Sequence, residues 1–302
     1  MAPMHRLSTQ QLVTLVLLTI VWGVNWPVMK VGVTDFPPLT FRAASMLLGV
    51  PVLALALVVL KVPFRLPRRH WKELALLTLT NMLVWHVCII LAVRLLSSGR
   101  AAILGYTMPI FSALIGALVF GAALAPRAWL GVGAAALGVL LLLWHEFTGL
   151  AGNPAGVALA LVAAATWALG TQLLRRSRVD LPTLTLSFWM TAITAAVLTV
   201  LATVFESARW QAPSQPVAWA IVFNAVLIFG YAHAAWFYLA RTLPPIASTL
   251  SVMFIPVLGV FSGALWLGEV LHWQDWAAVA LMVVAIASVL WPARAVAAAA
   301  RS

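Results

Sequence analysis

The chain has 302 residues; 64% are hydrophobic and only 8% are charged, whereas soluble domains carry roughly 25% charge because a folded sphere needs a wet exterior. That balance excludes a soluble enzyme. In a membrane protein the formal charge of +11 reports topology rather than a nucleic-acid partner.

Ten apolar stretches, near 11–31, 38–60, 71–93, 98–120, 127–144, 153–176, 182–204, 216–240, 245–267 and 272–292, are separated by Pro, Gly or charge. Each has about the 20 residues needed to cross roughly 30 Å of hydrocarbon. The expected fold is an all-α polytopic membrane protein with ten transmembrane helices. Continuous rather than alternating apolar runs exclude a β-barrel. No small-residue cleavage site follows the first stretch, so it reads as a retained helix. With the N-terminus in the cytoplasm, the inside loops and tails hold thirteen cations: Arg6, Lys61, Arg65, Arg68, Arg69, Lys72, Arg127, Arg175, Arg176, Arg178, Arg241, Arg294 and Arg301. Five lie outside: Lys30, Arg42, Arg94, Arg100 and Arg209. Cations resist translocation, so both termini are expected inside.

In the first helix Trp22, Trp26 and Lys30 fall at i, i+4 and i+8 on one face, with Asn25 beside them and Pro27 loosening the backbone. Aromatic surface at mid-depth with a cation towards one mouth suits a zwitterion with an apolar side chain; Lys30 could instead snorkel at its helix C-terminus, where the dipole favours cations. The third helix turns Thr78, Asn81 and Trp85 to one side, with His86 about 100° around from them. The fourth carries Tyr106, Pro109, Ser112 and Gly116. The sixth repeats the first as Trp167, Thr171 and Arg175, with the same choice of roles for its cation. The eighth places Asn224, Tyr231, Ala235 and Tyr238 on one face, again with His233 about 100° away. Uncompensated amides are costly in hydrocarbon, so both polar stripes should face inward, towards substrate or a neighbouring helix. His86 and His233 could serve as a structural hydrogen bond, a substrate contact or proton carrier, an axial haem pair, or a metal site; no further Cys or carboxylate supports the last. The ninth helix has Pro256, Gly259 and Gly263. Pro109 and Pro256 are candidate hinges, and the small-residue pairs Ser112/Gly116 and Gly259/Gly263 permit close approach between the two halves or in a homodimer.

Nine tryptophans sit near helix ends, as an interfacial belt requires: Trp71, Trp129, Trp144, Trp210, Trp219, Trp266, Trp273, Trp276 and Trp291. The other six, Trp22, Trp26, Trp85, Trp167, Trp189 and Trp236, lie too deep. The seven acids, Asp35, Glu73, Glu146, Asp180, Glu206, Glu269 and Asp275, all fall in loops or at helix ends. No mid-depth carboxylate is left to couple a proton or sodium ion, so passage reads as facilitative, or proton-coupled through His at most. Metalloprotease, serine-hydrolase and phosphate-loop motifs are absent, and the single Cys88 cannot form an intrachain bridge. Neither catalysis nor a cofactor is expected.

The chain also aligns with itself. At an offset of 145, Trp22, Lys30, Asp35 and Pro37 match Trp167, Arg175, Asp180 and Pro182; at 147, His86, Arg94, Pro109, Gly116, Gly121 and Trp129 match His233, Arg241, Pro256, Gly263, Gly268 and Trp276. Two five-helix repeats follow, 1–148 and 149–302. Five is odd, so the second must enter the bilayer from the opposite side, an inverted-repeat design suited to alternating access around a midplane site. The copies differ where Asn25 becomes Gly170, Pro27 becomes Gln172 and Ala122 becomes Glu269.

The opening WGVNWPVMKVGVTDFPPLTFRAAS and the paired segments TMPIFSALIGALVFG and MFIPVLGVFSGALWLGE resemble the EamA-type branch of the drug/metabolite transporter superfamily along nearly the whole chain. Within it the chain is similar to bacterial exporters of aromatic amino acids. The resemblance implies a ten-helix basket in the cell inner membrane. Its cavity would be lined by the first, third, fourth, sixth, eighth and ninth helices, with the fifth and tenth as buttresses. Four-helix relatives couple to protons through a first-helix Glu, which this chain lacks. The expected activity is export of amino acids, apolar or aromatic ones preferred, or of similar small metabolites, by a monomer or homodimer. A nucleoside, sugar derivative or drug is the alternative cargo, and a haem protein on His86 and His233 the alternative class. Candidate substrate contacts are Trp22, Asn25, Trp26, Asn81, Trp85, His86, Tyr106, Trp167, Thr171, Tyr231 and His233.

Overall fold

The computed structural model describes residues 9–121, 126–148, 153–242 and 254–290. Every regular element among them is helical: α1 (Thr9–Thr34), α2 (Pro38–Val59), α3 (Arg68–Leu95), α4 (Ser98–Leu118), α5 (Pro126–Thr148), α6 (Pro154–Arg176), α7 (Thr183–Glu206), α8 (Gln215–Arg241), α9 (Ile255–Leu267) and α10 (Trp273–Leu290). Seven of these, α1 to α4 and α6 to α8, are long and apolar enough to cross a bilayer; the rest contain shorter apolar stretches at Trp129–Leu142, Ile255–Leu267 and Trp273–Ser288. Residues 245–253 of the ninth predicted helix, and Trp291, lie outside the described residues. The exterior is greasy: Leu55, Val59, Leu118, Val204 and Leu265 are all more than 60% exposed. A water-soluble surface does not tolerate such a band, whereas acyl chains do.

Three helices depart from the regular cylinders that the sequence predicts. α4 is broken at Tyr106 and Thr107, between Ser98–Gly105 and Met108–Leu118. Pro109 at the start of the second piece has no N–H to continue the first, which is the physical cause of the break. In α3 the stretch Leu79–Leu83, and in α8 the stretch Asn224–Ala232, widen into π-helix; under the 147 offset the first falls inside the second. Gly121 and Gly268, an aligned pair beyond the ends of α4 and α9, both adopt positive φ, 65° and 64°, which a residue without Cβ takes at no steric cost.

α2 packs on α7, α4 on α9 and α5 on α10; α3 lies on α6 as α8 lies on α1, and α1 on α9 as α6 lies on α4. The close α4–α9 contact needs its glycines. A Cβ on Gly259 would stand 2.7 Å from that of Ala102, and one on Gly263 2.3 Å from Ser98 Oγ.

One end of the bundle is bound together by charge. The Glu206 carboxylate at the end of α7 accepts from the Leu39 N–H (3.1 Å), the Thr40 N–H (2.7 Å) and the Thr40 hydroxyl (2.8 Å) at the start of α2. Just past α9, Glu269 accepts from the Ser98 and Gly99 N–H groups, 2.7 and 3.2 Å, at the start of α4. Each satisfies N–H groups that a helix cannot satisfy itself, and α2 has no side-chain cap of its own. Arg100 adds an ion pair to Asp275, 2.8 Å. At this same end Lys30 donates to the carbonyls of Val93, Arg94 and Leu96. These carbonyls belong to the C-terminus of the neighbouring α3, not to that of Lys30's own helix. Arg94 likewise reaches the Val33 carbonyl, and at the other end of the bundle its aligned partner Arg241 reaches those of Val179 and Leu181.

Candidate functional site

The buried aromatic residues converge on one cavity between α1, α3 and α4 on one side and α6 and α8 on the other. α1 presents Trp22, Asn25, Trp26 and Met29 along one face; α3 adds Trp85, His86 and Ile89; Tyr106 enters from the break in α4, with Met108 after it. Trp167 of α6 and Ile228 and His233 of α8 close the far wall. Trp167 is the hub, with ring centres 5.0 Å from Trp85, 6.2 Å from Trp22, 5.7 Å from His233 and 6.2 Å from Phe237. Trp26 meets Tyr106 edge-on at 6.1 Å. Edge-to-face and tilted pairs, and the stacked Trp167–Phe237 pair, at these separations are arrangements that aromatic quadrupoles allow.

Eight of the eleven predicted contacts therefore line one space, and three do not. Asn81 is fully buried but points at α6: its amide donates to the Leu77 carbonyl, 3.2 Å, and lies against Gly170. Thr171 is buried and does not line it. Tyr231 turns away, its hydroxyl 3.4 Å from the Thr14 carbonyl. Of the six deep tryptophans, Trp189 is a correction. It is half-buried and donates its indole N–H to the Phe64 carbonyl, because the 63–67 segment folds back over the start of α7. Trp236 is buried but stands behind the wall, against Trp22 at 5.5 Å. Of the predicted hinges, Pro109 follows the break in α4, and Pro256 stands at the start of the described part of α9.

The lining helices also differ from the expected set. α9 contributes no lining residue among those described, and α2 sends in Arg42, counted from the sequence as an outside-loop cation. Its place was legible: LTFRAASML is apolar on both sides of the arginine, and a cation inside such a run marks function by default.

Three residues that line the cavity carry polar atoms with no hydrogen-bond partner among the described residues: Asn25 Oδ1, both His86 ring nitrogens and Arg42 Nε. Buried polar groups are normally satisfied, so a cluster of orphans marks a place where another molecule supplies the bonds. The cavity itself has about 40 Å³ of free volume, enough for a few waters and too little for a metabolite. His86 and His233 touch ring to ring, centres 5.1 Å apart, with Trp22, Trp167 and Phe229 packed around them. That leaves no slot for a porphyrin between the two imidazoles, so the residues do not fit haem.

Where the chain crowds most, it needs glycine. A Cβ at Gly170 would stand 2.5 Å from Asn81 Nδ2. Gly170→Ala is expected to destabilise by about 1–3 kcal/mol through overpacking, read as a lower melting temperature in detergent, although alanine is the better helix former.

The EamA-like transporter family matches residues 10–144 and again 154–291. The uncharacterized transporter YoaV of Bacillus subtilis is 26% identical over 256 residues, covering 83% of this chain and 87% of its own. The uncharacterized inner membrane transporter YedA of Escherichia coli is 29% identical over 284 residues, 92% of this chain and 91% of its own. A probable amino-acid metabolite efflux pump of Escherichia coli is 27% identical over 165 residues, 54% of this chain and 53% of its own. One solved crystal structure superposes with a TM-score of 0.68 at 20% identity, covering 91% of this chain and 96% of that one, a likeness of fold. With helices long and apolar enough for several membrane crossings and a family match over most of its length, the chain belongs to the EamA-like transporter family: it is a multi-pass membrane transporter, not an enzyme.

Proposed function

We propose that the protein exports amino acids with apolar or aromatic side chains, or similar small metabolites, across the bacterial inner membrane by alternating access. The observation that carries this reading is the aromatic cavity between α1, α3, α4 and α6, α8, with its unsatisfied polar atoms. A zwitterion with an aromatic side chain offers both things such a wall accepts, a flat apolar face and hydrogen-bonding groups. The similarity to a probable amino-acid metabolite efflux pump points the same way.

The mechanism rests on ten spans built as two inverted repeats, 1–148 and 149–302, with both termini in the cytoplasm. Several observations support it. The family matches the chain twice. Helix pairings reproduce themselves when five is added to each helix number. The π segments, the positive-φ glycines and the carbonyl-binding Arg94 and Arg241 recur at the same offset. The excess of cations on the inside, thirteen against four outside once the buried Arg42 is set apart, supports that orientation. In this arrangement α2 to α4 and α7 to α9 rock around the cavity, with Pro109 and Pro256 as hinges and the α5–α10 pair as a buttress.

Purified protein in proteoliposomes is expected to exchange labelled amino acids, fastest for aromatic ones. No flux for any of the twenty would overturn the reading. Among described side chains no carboxylate lines the cavity, so exchange is expected to continue unchanged when an ionophore collapses the pH gradient. Flux that stops with the gradient would mean that protons are coupled through another group, His86 and His233 first.

A further inference from the structure

Among the described residues Arg42 is the largest fully buried side chain, 1% exposed, and it lines the cavity. A guanidinium carries five N–H donors, no acceptor and a permanent charge. Among the described residues it meets two acceptors. Nη1 donates to Asn224 Oδ1 at 3.2 Å, and Nη2 points at the Met29 sulfur at 2.8 Å. Nε has no partner. The rings of Phe41 and Phe229 flank it, 5.9 and 5.6 Å from the guanidinium carbon, and no described carboxylate forms an ion pair with it. Glu206, at the same end of the bundle, is committed to the α2 N–H groups. A charge held away from water without a counter-ion is among the costliest features a fold can keep, and it persists where an anion visits.

We propose that Arg42 receives the carboxylate of the transported molecule. This deepens the reading above and rests on it. The edge formed by Nε and Nη2 is the fork that grips a carboxylate with two parallel bonds. One half of that edge is vacant, and the other is held by a thioether, a weak and flexible acceptor that a carboxylate displaces. Asn25 Oδ1 and the indole faces of Trp22 and Trp85 then face the ammonium group of a zwitterion. A cargo of net positive charge would instead meet like charge in a low dielectric, so the site takes zwitterions and anions and rejects cationic drugs.

The test compares three probes by quenching of intrinsic tryptophan fluorescence: phenylalanine, its carboxyl-blocked amide, and 3-phenylpropanoate, which keeps the carboxylate and lacks the ammonium. Wild type is expected to bind the two carboxylates at least 30-fold more tightly than the amide. Arg42→Gln is expected to lose that preference, with phenylalanine weakened at least 30-fold and the amide, a cation relieved of like charge, bound no more weakly than by wild type, while Arg42→Lys recovers part of it. The melting temperature of Arg42→Gln should not fall, because an uncompensated buried charge has been removed. Equal binding of phenylalanine and its amide by wild type, a result that needs no folded variant, overturns the assignment while leaving the amino-acid reading standing. Binding of 3-phenylpropanoate without phenylalanine supports Arg42 and overturns the amino-acid reading. Failure of every carboxylate overturns both.

Discussion

Trp167→Ala is expected to weaken binding of an aromatic cargo about 30-fold and to reduce exchange in proteoliposomes in proportion. The indole is 3% exposed and packs at once against Trp22, Trp85, His233 and Phe237, so α1, α3, α6 and α8 all lose a contact when it goes. Truncating a buried Trp costs about 3–5 kcal/mol in packing, so the melting temperature must fall too, and stability alone cannot show that cargo touches the ring. Trp236 supplies the comparison. It is equally buried and packs on Trp22, but it stands behind the lining. Trp236→Ala should lower the melting temperature by a similar amount and leave cargo affinity within about threefold. Trp167→Phe keeps a flat apolar face and should retain most of the binding. Equal losses of affinity in Trp167→Ala and Trp236→Ala would reduce Trp167 to a packing residue and remove the central wall of the proposed site.

Much of that wall was legible in the sequence because few forces place an indole or an amide at mid-depth. Trp22, Trp26, Trp85 and Trp167 sit more than two turns from their helix ends, too deep for the interfacial belt, and they do converge. On the third and eighth helices the misplacements have a common geometric cause. The polar stripes of the third and eighth helices were projected with 3.6 residues per turn, but both helices pass through π segments. An inserted residue turns everything after it by about 100°. His86 and His233 follow the wide turns and swing into the cavity, whereas Asn81 and Tyr231 lie within them and face a neighbouring helix or turn away. Arg42 was missed for another reason: counting cations by loop assigns each to a side and never asks whether it is wet. The contacts of Glu206 and Glu269 join residues 167 and 171 positions apart, and no local pattern announces such pairings.

Those two carboxylates carry the other large expected effect. They belong to the second repeat of the proposed design, and the helix starts they cap belong to the first, so every bond they make crosses between the two units that must separate for one mouth to open. Bonds to a charged acceptor contribute about 1.5–3 kcal/mol each, and a carboxylate at a helix N-terminus adds roughly 0.3–1 kcal/mol. Glutamine keeps one acceptor oxygen and loses the charge. Glu206→Gln with Glu269→Gln should therefore weaken this closed end by about 2–6 kcal/mol in total, enough to shift a two-state equilibrium by one to four decades. The measurement is the modification rate of a cysteine at Ile89, which is 1% exposed and lines the cavity, with Cys88 replaced by alanine. A membrane-impermeant maleimide is applied from the side that carries Glu206, the periplasmic side in the proposed orientation. Labelling should accelerate at least tenfold in the double variant. Each single variant should give an intermediate rate, roughly additive in free energy, because the two contacts share no partner. The position that aligns with Glu269 is Ala122, a side chain that cannot cap a helix start, so in the proposed design the opposite mouth is expected to open at lower cost. An exporter that rests open to the cytoplasm needs that inequality. If labelling from the Glu206 side stays at the wild-type rate in the double variant, the carboxylates are static helix caps, and the closed end must be held by packing between α1, α4 and α9 instead.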